Sequence, residues 1–279
     1  MKARSEAWLY VGPATLFLFL VMLVPLVYVA YTSVTTVDGS FSLAAYERLF
    51  GSELFRRTLW STFEISIFAS LSSLALGYPI AMHLARQSPR KRALYMVLVL
   101  VPFWTSILVK SYAFTVMLGR VGLVNQFLSW IVGEPVQLPM LFNRFGVMVG
   151  MTNYLIPFVV FPVLASLLAI DKSLYRASEI MGAKPPRIFL RITLPLSLPG
   201  VAAAVLSTTI MSMGFFVIPA LLGGRKDVMM SNLVDFYTRE TMDWNMASAI
   251  GVILLGIVTL AAVGAGQLKK AGSRAEVQA

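Results

Sequence analysis

The sequence predicts an all-α integral membrane protein with six transmembrane helices. Hydrophobic residues make up 58% of the 279 residues and charged residues only 13%, about half the charged share of a soluble domain. The mean hydropathy is +0.77. The apolar residues fall in six runs with the length of roughly 20 residues that a helix needs to cross a bilayer. Because lipid offers no partner to a free backbone amide or carbonyl, these runs are predicted to be helices and not open strands.

The six predicted spans form a single transmembrane domain over residues 1–279, with no soluble domain. The first run follows Lys2 and Arg4 as the apolar part of a signal peptide would. Its uncharged stretch extends from Ala7 to Val37, which is longer than that part, so we interpret it as a retained span. The predicted spans are 9–34, 62–85, 93–118, 146–170, 197–222 and 246–266.

The basic residues predict which side of the membrane each loop occupies. If the spans alternate, residues 1–8, 86–92, 171–195 and 267–279 share one side, and these segments hold 14 of the 23 basic residues with four acids. The opposite side holds eight basic and eight acidic residues. Cytoplasmic loops carry the excess of Lys and Arg, so both termini are predicted to be cytoplasmic. This also explains the net charge of +10 without nucleic-acid binding, since no basic stripe is interleaved with aromatic residues on a polar scaffold.

The sequence offers no catalytic constellation and no metal site. It has no cysteine and a single histidine, His83, which excludes disulfides, thiolate metal sites and a histidine cluster. No predicted span contains an aspartate, so an intramembrane aspartyl protease is excluded, and the chain is predicted not to be an enzyme. Two ionisable residues lie within spans. Glu64 lies near the start of its span and is expected to reach the interface. Lys110 follows seventeen uncharged residues and either extends outward or faces a pathway through the bundle or a neighbouring span.

The segment 171–195 is a basic loop with strong local signals. Leu174–Met181 contains no internal glycine or proline and is predicted to form a short helix. Gly182 can adopt positive φ and end that helix sharply. Pro185 and Pro186 suit the start of a second helix, where a missing N–H costs little. Small residues in the first helix would let another protein approach its backbone. The alternative is a loop that binds anionic lipid.

This loop resembles the "EAA" loop of permease subunits in binding-protein-dependent ABC importers. The family pattern is E-A-A, three residues, glycine, nine residues and I-x-L-P. Here Arg176-Ala177-Ser178 occupies the first three positions, Gly182 the glycine, and Ile192 to Pro195 the last four. The first position departs from the pattern, because Arg176 replaces the usual acid, with Glu179 one turn later.

Further segments extend the resemblance to most of the chain. GYPIAMHLAR (77–86), VPFWTSILVKSYAFTVML (101–118), LIPFVVFPV (155–163) and DWNMASA (243–249) occur in the same order as in the first permease subunit of spermidine/putrescine importers. The resemblance implies the type I ABC importer permease fold, a bacterial inner-membrane location and a small polar cargo, a polyamine or a related amine or amino-acid-like compound.

The resemblance also implies partners and site residues. This chain would form a heterodimeric membrane domain with a second permease and would contact membrane lipid. Two copies of an ATPase would bind ATP and Mg below them, and a periplasmic binding protein would deliver cargo. The chain itself would hold no cofactor. The expected ATPase-coupling residues are Arg176, Ala177, Ser178, Glu179, Gly182, Ala183, Phe189, Ile192, Leu194 and Pro195. The pathway candidates, chosen as polar and aromatic residues of spans three to five, are Trp104, Thr105, Lys110, Tyr112, Asn153, Tyr154, Ser212 and Phe215.

Two alternatives stay open at this point. A secondary transporter would work without an ATPase, but it would often show an internal repeat and keep more carboxylates within the spans, and neither is evident. Within the importer class, the cargo could instead be an opine, thiamine, a phosphonate or iron(III).

Overall fold

The computed structural model describes residues 2–36 and 38–278, with side-chain environments for residues 12–36, 38–264 and 266–267. The described residues form α-helices and one π-helical turn, Phe189–Thr193. The basic residues of both termini, on which the orientation partly rests, lie outside the described side chains. The helices are α1 Lys2–Ser33, α2 Ala44–Gly51, α3 Glu53–Arg86, α4 Pro89–Trp104, α5 Ile107–Leu118, α6 Leu123–Val132, α7 Arg144–Leu168, α8 Lys172–Ile180, α9 Pro185–Ile188, α10 Leu194–Met213, α11 Val217–Leu222, α12 Met230–Arg239 and α13 Trp244–Gln278.

Six helical segments in the described part of the chain are long and apolar enough to cross a membrane, which confirms the predicted number. Spans one, two, four and six were predicted in the right places, although α3 and α13 extend well beyond the predicted ends. The segments are Gly12–Ser33, Glu53–Arg86, Ile107–Val132, Arg144–Leu168, Pro185–Met213 and Trp244–Gly264.

The continuous third span predicted over 93–118 is wrong. The chain leaves the helix after Trp104, because Thr105 and Ser106 have extended backbone, with ψ of 136° and 133°. Hydroxyl side chains favour helix termini over helix interiors, and Pro102 removes one backbone donor just before the break. The segment that is long and apolar enough to cross a membrane therefore starts at Ile107 and continues into α6.

The continuous fifth span predicted over 197–222 is also wrong. Helix α10 ends at Met213, with Gly214 as its C-cap, and α11 starts at Val217. In an unbroken helix Pro219 would clash with the carbonyl of Phe215 and could not donate to it. The carbonyl of Phe215 instead accepts a hydrogen bond from the hydroxyl of Ser231.

The chain divides into two compact units, residues 1–56 with 233–257 and residues 57–232 with 258–279. In the first unit, Arg48 and Asp243 form a salt bridge of 3.3 Å. The side-chain amide of Asn245 donates to the carbonyl of Thr32 at 2.9 Å, which ties the start of α13 to the end of α1. The single domain predicted over residues 1–279 stays a prediction.

Helix α7 forms the centre of the second unit. In its apolar 18-residue stretch, 56% is buried inside the protein, compared with at most 39% in the other candidate spans. One buried cluster gathers around its N-terminal half, with Ile65, Val147, Met151 and Ile218, and a second around its C-terminal half, with Val159 and further residues. Helix α7 therefore organises the packing of this unit.

Glycines allow neighbouring helices to approach α7 closely. A Cβ built on Gly200 of α10 would lie 2.5 Å from the Cβ of Ser166 and 2.6 Å from the carbonyl oxygen of Pro162. A Cβ on Gly77 of α3 would lie 2.8 Å from Cγ1 of Val159. Small residues at helix interfaces are the usual means of close packing in membranes, where van der Waals contact replaces the hydrophobic effect.

We expect Gly200→Ala to destabilise the protein by about 1–3 kcal/mol, because the new methyl overlaps a backbone oxygen that cannot move aside. The measurement is the thermal unfolding midpoint of the purified chain in mild detergent. Gly256→Ala is the matched control, since no atom lies within 4 Å of a Cβ built there. Equal midpoints for the two variants would contradict the described α7–α10 contact.

Candidate functional site

The predicted short helix in the basic loop is present as α8, with defined caps at both ends. The carboxylate of Asp171 accepts from the backbone N–H of Ser173 at 2.8 Å, and this bond lowers the pKa of Asp171 below its usual value. At the other end, Gly182 donates to the carbonyl of Glu179 at 2.9 Å and Ala183 donates to Ser178 at 3.0 Å. This is a Schellman motif with Gly182 at φ +73°, as the sequence predicts.

The second half of the loop enters the bundle through a π-helical turn that was not predicted. Pro185 and Pro186 begin α9 as expected. The ring of Phe189 then packs edge-to-face against Tyr78 of α3, with 6.1 Å between ring centroids. The hydroxyls of Tyr175 and Thr193 lie 3.3 Å apart and link α8 to this turn. These contacts hold the loop against α3 and connect its two halves.

The expected coupling residues divide into an exposed set and an anchoring set. The exposed residues are Arg176, Ala177, Glu179, Gly182 and Pro195, and the half-buried ones are Ser178, Ala183, Phe189, Ile192 and Leu194. Ile192 packs against the same cluster as Tyr78. The outward face of α8 with Gly182 is thus available to a partner, while the later residues fix its position.

Ile180 and Met181 belong to this exposed surface and were missed by the sequence reasoning. Their side chains are 87% and 85% exposed, the two highest values among the exposed large apolar residues that the structure describes. They directly precede Gly182 in a basic loop, where lipid-facing residues are not expected. That position, next to the glycine of the motif, is the signal that could have identified them.

Half of the pathway candidates, Lys110, Asn153, Tyr154 and Phe215, lie together around the ring of Tyr154 in α7. The ammonium of Lys110 lies over this ring, 5.1 Å from its centroid, and has no hydrogen-bond acceptor among the described residues. Phe215, at the break in span five, packs edge-to-face on the same ring at 4.9 Å. A small cavity beside Lys110 is lined also by Asn153. Its volume of about 10 Å³ is close to the minimum for one water molecule.

Phe103 and Phe158 complete the aromatic cluster and were not predicted. Phe158 stacks on Tyr154 with centroids 5.8 Å apart, and Phe103 packs edge-to-face on Phe158 at 5.5 Å. Phe103 lies just before the break in span three, and Phe215 lies within the break in span five. The two helix breaks therefore bring aromatic side chains to one residue of α7.

Four pathway candidates lie outside this cluster. Trp104 and Thr105 are exposed at the break in span three. Tyr112 is 60% exposed and follows Lys110 by two residues, which directs it away from the Lys110 face of α5. Ser212 is buried, and its hydroxyl donates to the carbonyl of Thr208 in its own helix at 2.7 Å.

Glu64 belongs to an ion-pair network, and its expected position at the membrane interface stays a prediction. Its carboxylate lies 2.9 Å from Nη1 of Arg144, while Nε of the same arginine donates to Asp227 at 2.7 Å. Asp227 is 4% exposed. The sequence did not predict the network, since its members lie in three separate segments. It fastens the start of α7 to α3 and to the turn after α11.

Comparison with known proteins supplies the family. The family described as "Binding-protein-dependent transport system inner membrane component" matches residues 73–269. The spermidine/putrescine transport system permease protein PotB of Salmonella typhimurium (strain SL1344) is 32% identical over 257 residues, 90% of this chain and 88% of the relative. PotB of Escherichia coli (strain K12) is 31% identical, over 90% and 92% of the two chains.

A solved structure gives the same fold. A chain from the crystal structure of a bacterial alginate ABC transporter, in complex with an alginate pentasaccharide-bound periplasmic protein, superposes with a TM-score of 0.76. The match covers 96% of each chain at 20% sequence identity, so it speaks for the fold alone. With the family match over most of the chain and relatives above 30% identity, this protein belongs to the inner-membrane permease components of binding-protein-dependent ABC importers.

Proposed function

We propose that this permease subunit moves a polyamine, or a closely related small amine, into the cytoplasm. The observation that carries the proposal is the 32% identity, over 90% of the chain, to a permease named for spermidine and putrescine transport. Both termini would then be cytoplasmic, in agreement with the distribution of basic residues.

The proposed energy source is a separate ATPase that docks on the exposed face of α8. ATP and Mg would be bound there, and this chain would receive only mechanical movement. The exposed apolar pair Ile180 and Met181 would enter an apolar groove of the ATPase, surrounded by the charges of Arg176 and Glu179. Buried apolar anchors inside a polar rim are the usual composition of a strong protein–protein contact.

The inward-facing residues would transmit this movement to the spans. Phe189 packs on Tyr78 of α3, and the hydroxyl of Tyr78 lies 2.9 Å from that of Ser197 in α10. A displacement of α8 would therefore reach two spans through direct contacts. We propose that the bundle responds by rocking between outward-open and inward-open states around Tyr154.

Recovery of the complex tests the proposed partners. The tagged chain would be extracted from its native membrane in mild detergent, and its partners identified by mass spectrometry. We expect one homologous permease and one kind of ATPase. Recovery of the chain alone, from membranes that demonstrably contain that ATPase, would favour a secondary transporter.

Gly182→Val should detach the ATPase while leaving the chain in the membrane. A residue other than glycine at φ +73° costs about 1–2 kcal/mol and would unwind the end of α8. Gly182→Asn is the matched control, because asparagine tolerates this conformation. ATPase copurification measures the effect, and normal retention with normal uptake in Gly182→Val would refute the coupling role.

Replacing Ile180 and Met181 together by serine should lower ATPase copurification about tenfold or more, since truncated hot-spot side chains cost 2 kcal/mol and above. The conservative pair Ile180→Val and Met181→Leu should retain the ATPase, because it keeps an apolar surface of similar size. Unchanged retention in the serine variant would remove this pair from the interface.

Lys110→Ala should lower ATP-driven uptake about fivefold without affecting assembly, because it removes a cation–π contact of about 1 kcal/mol from Tyr154. Tyr112→Ala, on the other face of α5, should leave uptake unchanged. Uptake of labelled spermidine into right-side-out vesicles or proteoliposomes with ATP inside is the measurement. Equal uptake by the Lys110→Ala variant and the parent would show that the cluster is only packing.

A further inference from the structure

The turn that follows α11 is fixed from several directions. The backbone N–H of Asp227 donates to the carbonyl of Gly224 at 3.0 Å, and that of Gly224 donates to the Asp227 carboxylate at 3.2 Å. Asp227 pairs with Arg144 at 2.7 Å. The hydroxyl of Ser61 donates to the carbonyl of Lys226 at 3.4 Å. The turn thus has a defined conformation against α3 and α7.

The outward face of this turn carries two cations. Arg225 and Lys226 are exposed, and neither forms a salt bridge within the described part of the chain. The acid of the turn, Asp227, is buried and faces Arg144. The two positive charges are therefore free of direct ion pairs in the described part of the chain and sit on a turn of defined conformation.

An exposed aromatic residue lies beside the same turn. Phe142 is 66% exposed and has φ +58°, a conformation that is unfavourable for a bulky side chain. A Cβ built on Gly224 would overlap the carbonyl oxygen of Phe142, so the two backbones are in direct contact. Strained residues persist where the surrounding structure holds them and are concentrated at functional sites.

We infer that Phe142, Arg225 and Lys226 form a docking point for an acidic patch on the substrate-binding protein. The inference rests on the proposed function, which supplies this partner and places the turn on the outer side. Phenylalanine and arginine are enriched at protein interfaces, and opposite charges direct the encounter of the two proteins.

A protein fits this surface better than anionic lipid does. Basic residues attract lipid headgroups without a fixed geometry, since the attraction is a surface potential. Here the support is rigid before binding, and rigidity reduces the ordering cost that a protein–protein contact must overcome. Lipid binding is the competing outcome of the experiment.

The test is the affinity of the cargo-loaded binding protein for the assembled transporter in nanodiscs. We expect Arg225→Glu with Lys226→Glu to weaken binding about tenfold or more, because both charges become repulsive toward an acidic patch. Phe142→Ala should weaken it severalfold. The matched control is Arg56→Glu with Arg57→Glu, an exposed basic pair at the same predicted side, which should bind normally.

The outcomes separate this inference from the proposed function. Equal binding by the parent and the Arg225/Lys226 variant, with the ATPase retained in both, would overturn the docking point alone. A weakening that appears only in phosphatidylglycerol nanodiscs and not in phosphatidylcholine would assign the turn to lipid and also overturn it. Failure of the binding protein to bind the parent transporter at all would contradict the proposed function itself.

Discussion

The absence of water in the bilayer determines where the helices of the second unit can break. Any interrupted helix frees carbonyl and amide groups that lipid cannot satisfy, so the protein must supply their partners. At the break in span five, the carbonyls of Phe215 and Phe216 accept from Ser231 and, at 3.0 Å, from Asn232. These donors sit at the start of α12, where the N–H of Met230 donates to the buried hydroxyl of Thr62 at 2.8 Å. The break therefore depends on the attachment of α12 to α3.

This arrangement connects the ion-pair network to the aromatic cluster. Arg144, at the start of α7, pairs with Asp227 in the turn that leads into α12. Side chains of α12 then donate to the free carbonyls at the break in span five. At this break, Phe215 packs on Tyr154. Because α7 carries both Arg144 and Tyr154, the two sites share one rigid element. The ammonium of Lys110 lies over the same ring and donates no hydrogen bond to the residues that the structure describes, so the aromatic face offsets part of its charge.

The sequence predicted what depends on local composition and spacing. The apolar runs and loop charges gave the number of spans, and the glycine and proline positions gave the two helices of the basic loop. The breaks at Thr105 and at Gly214 were missed, because glycine and proline are also common in continuous membrane helices and only tertiary partners decide the outcome. The network joins Arg144 to Glu64 and Asp227, which lie about 80 positions away on either side in the chain, and no local pattern reveals such contacts. Ile180 and Met181 looked like ordinary helix residues until their exposure was known.

The most direct test of the account is uptake into proteoliposomes that contain this chain with its second permease and ATPase. Labelled spermidine, presented on its binding protein, would be supplied with ATP inside or outside the vesicle, with and without proton or sodium ionophores. We expect uptake that requires ATP on the cytoplasmic face and the binding protein on the other face, and that ionophores leave unchanged. Uptake that follows an ion gradient in the absence of ATP would contradict it and identify a secondary transporter.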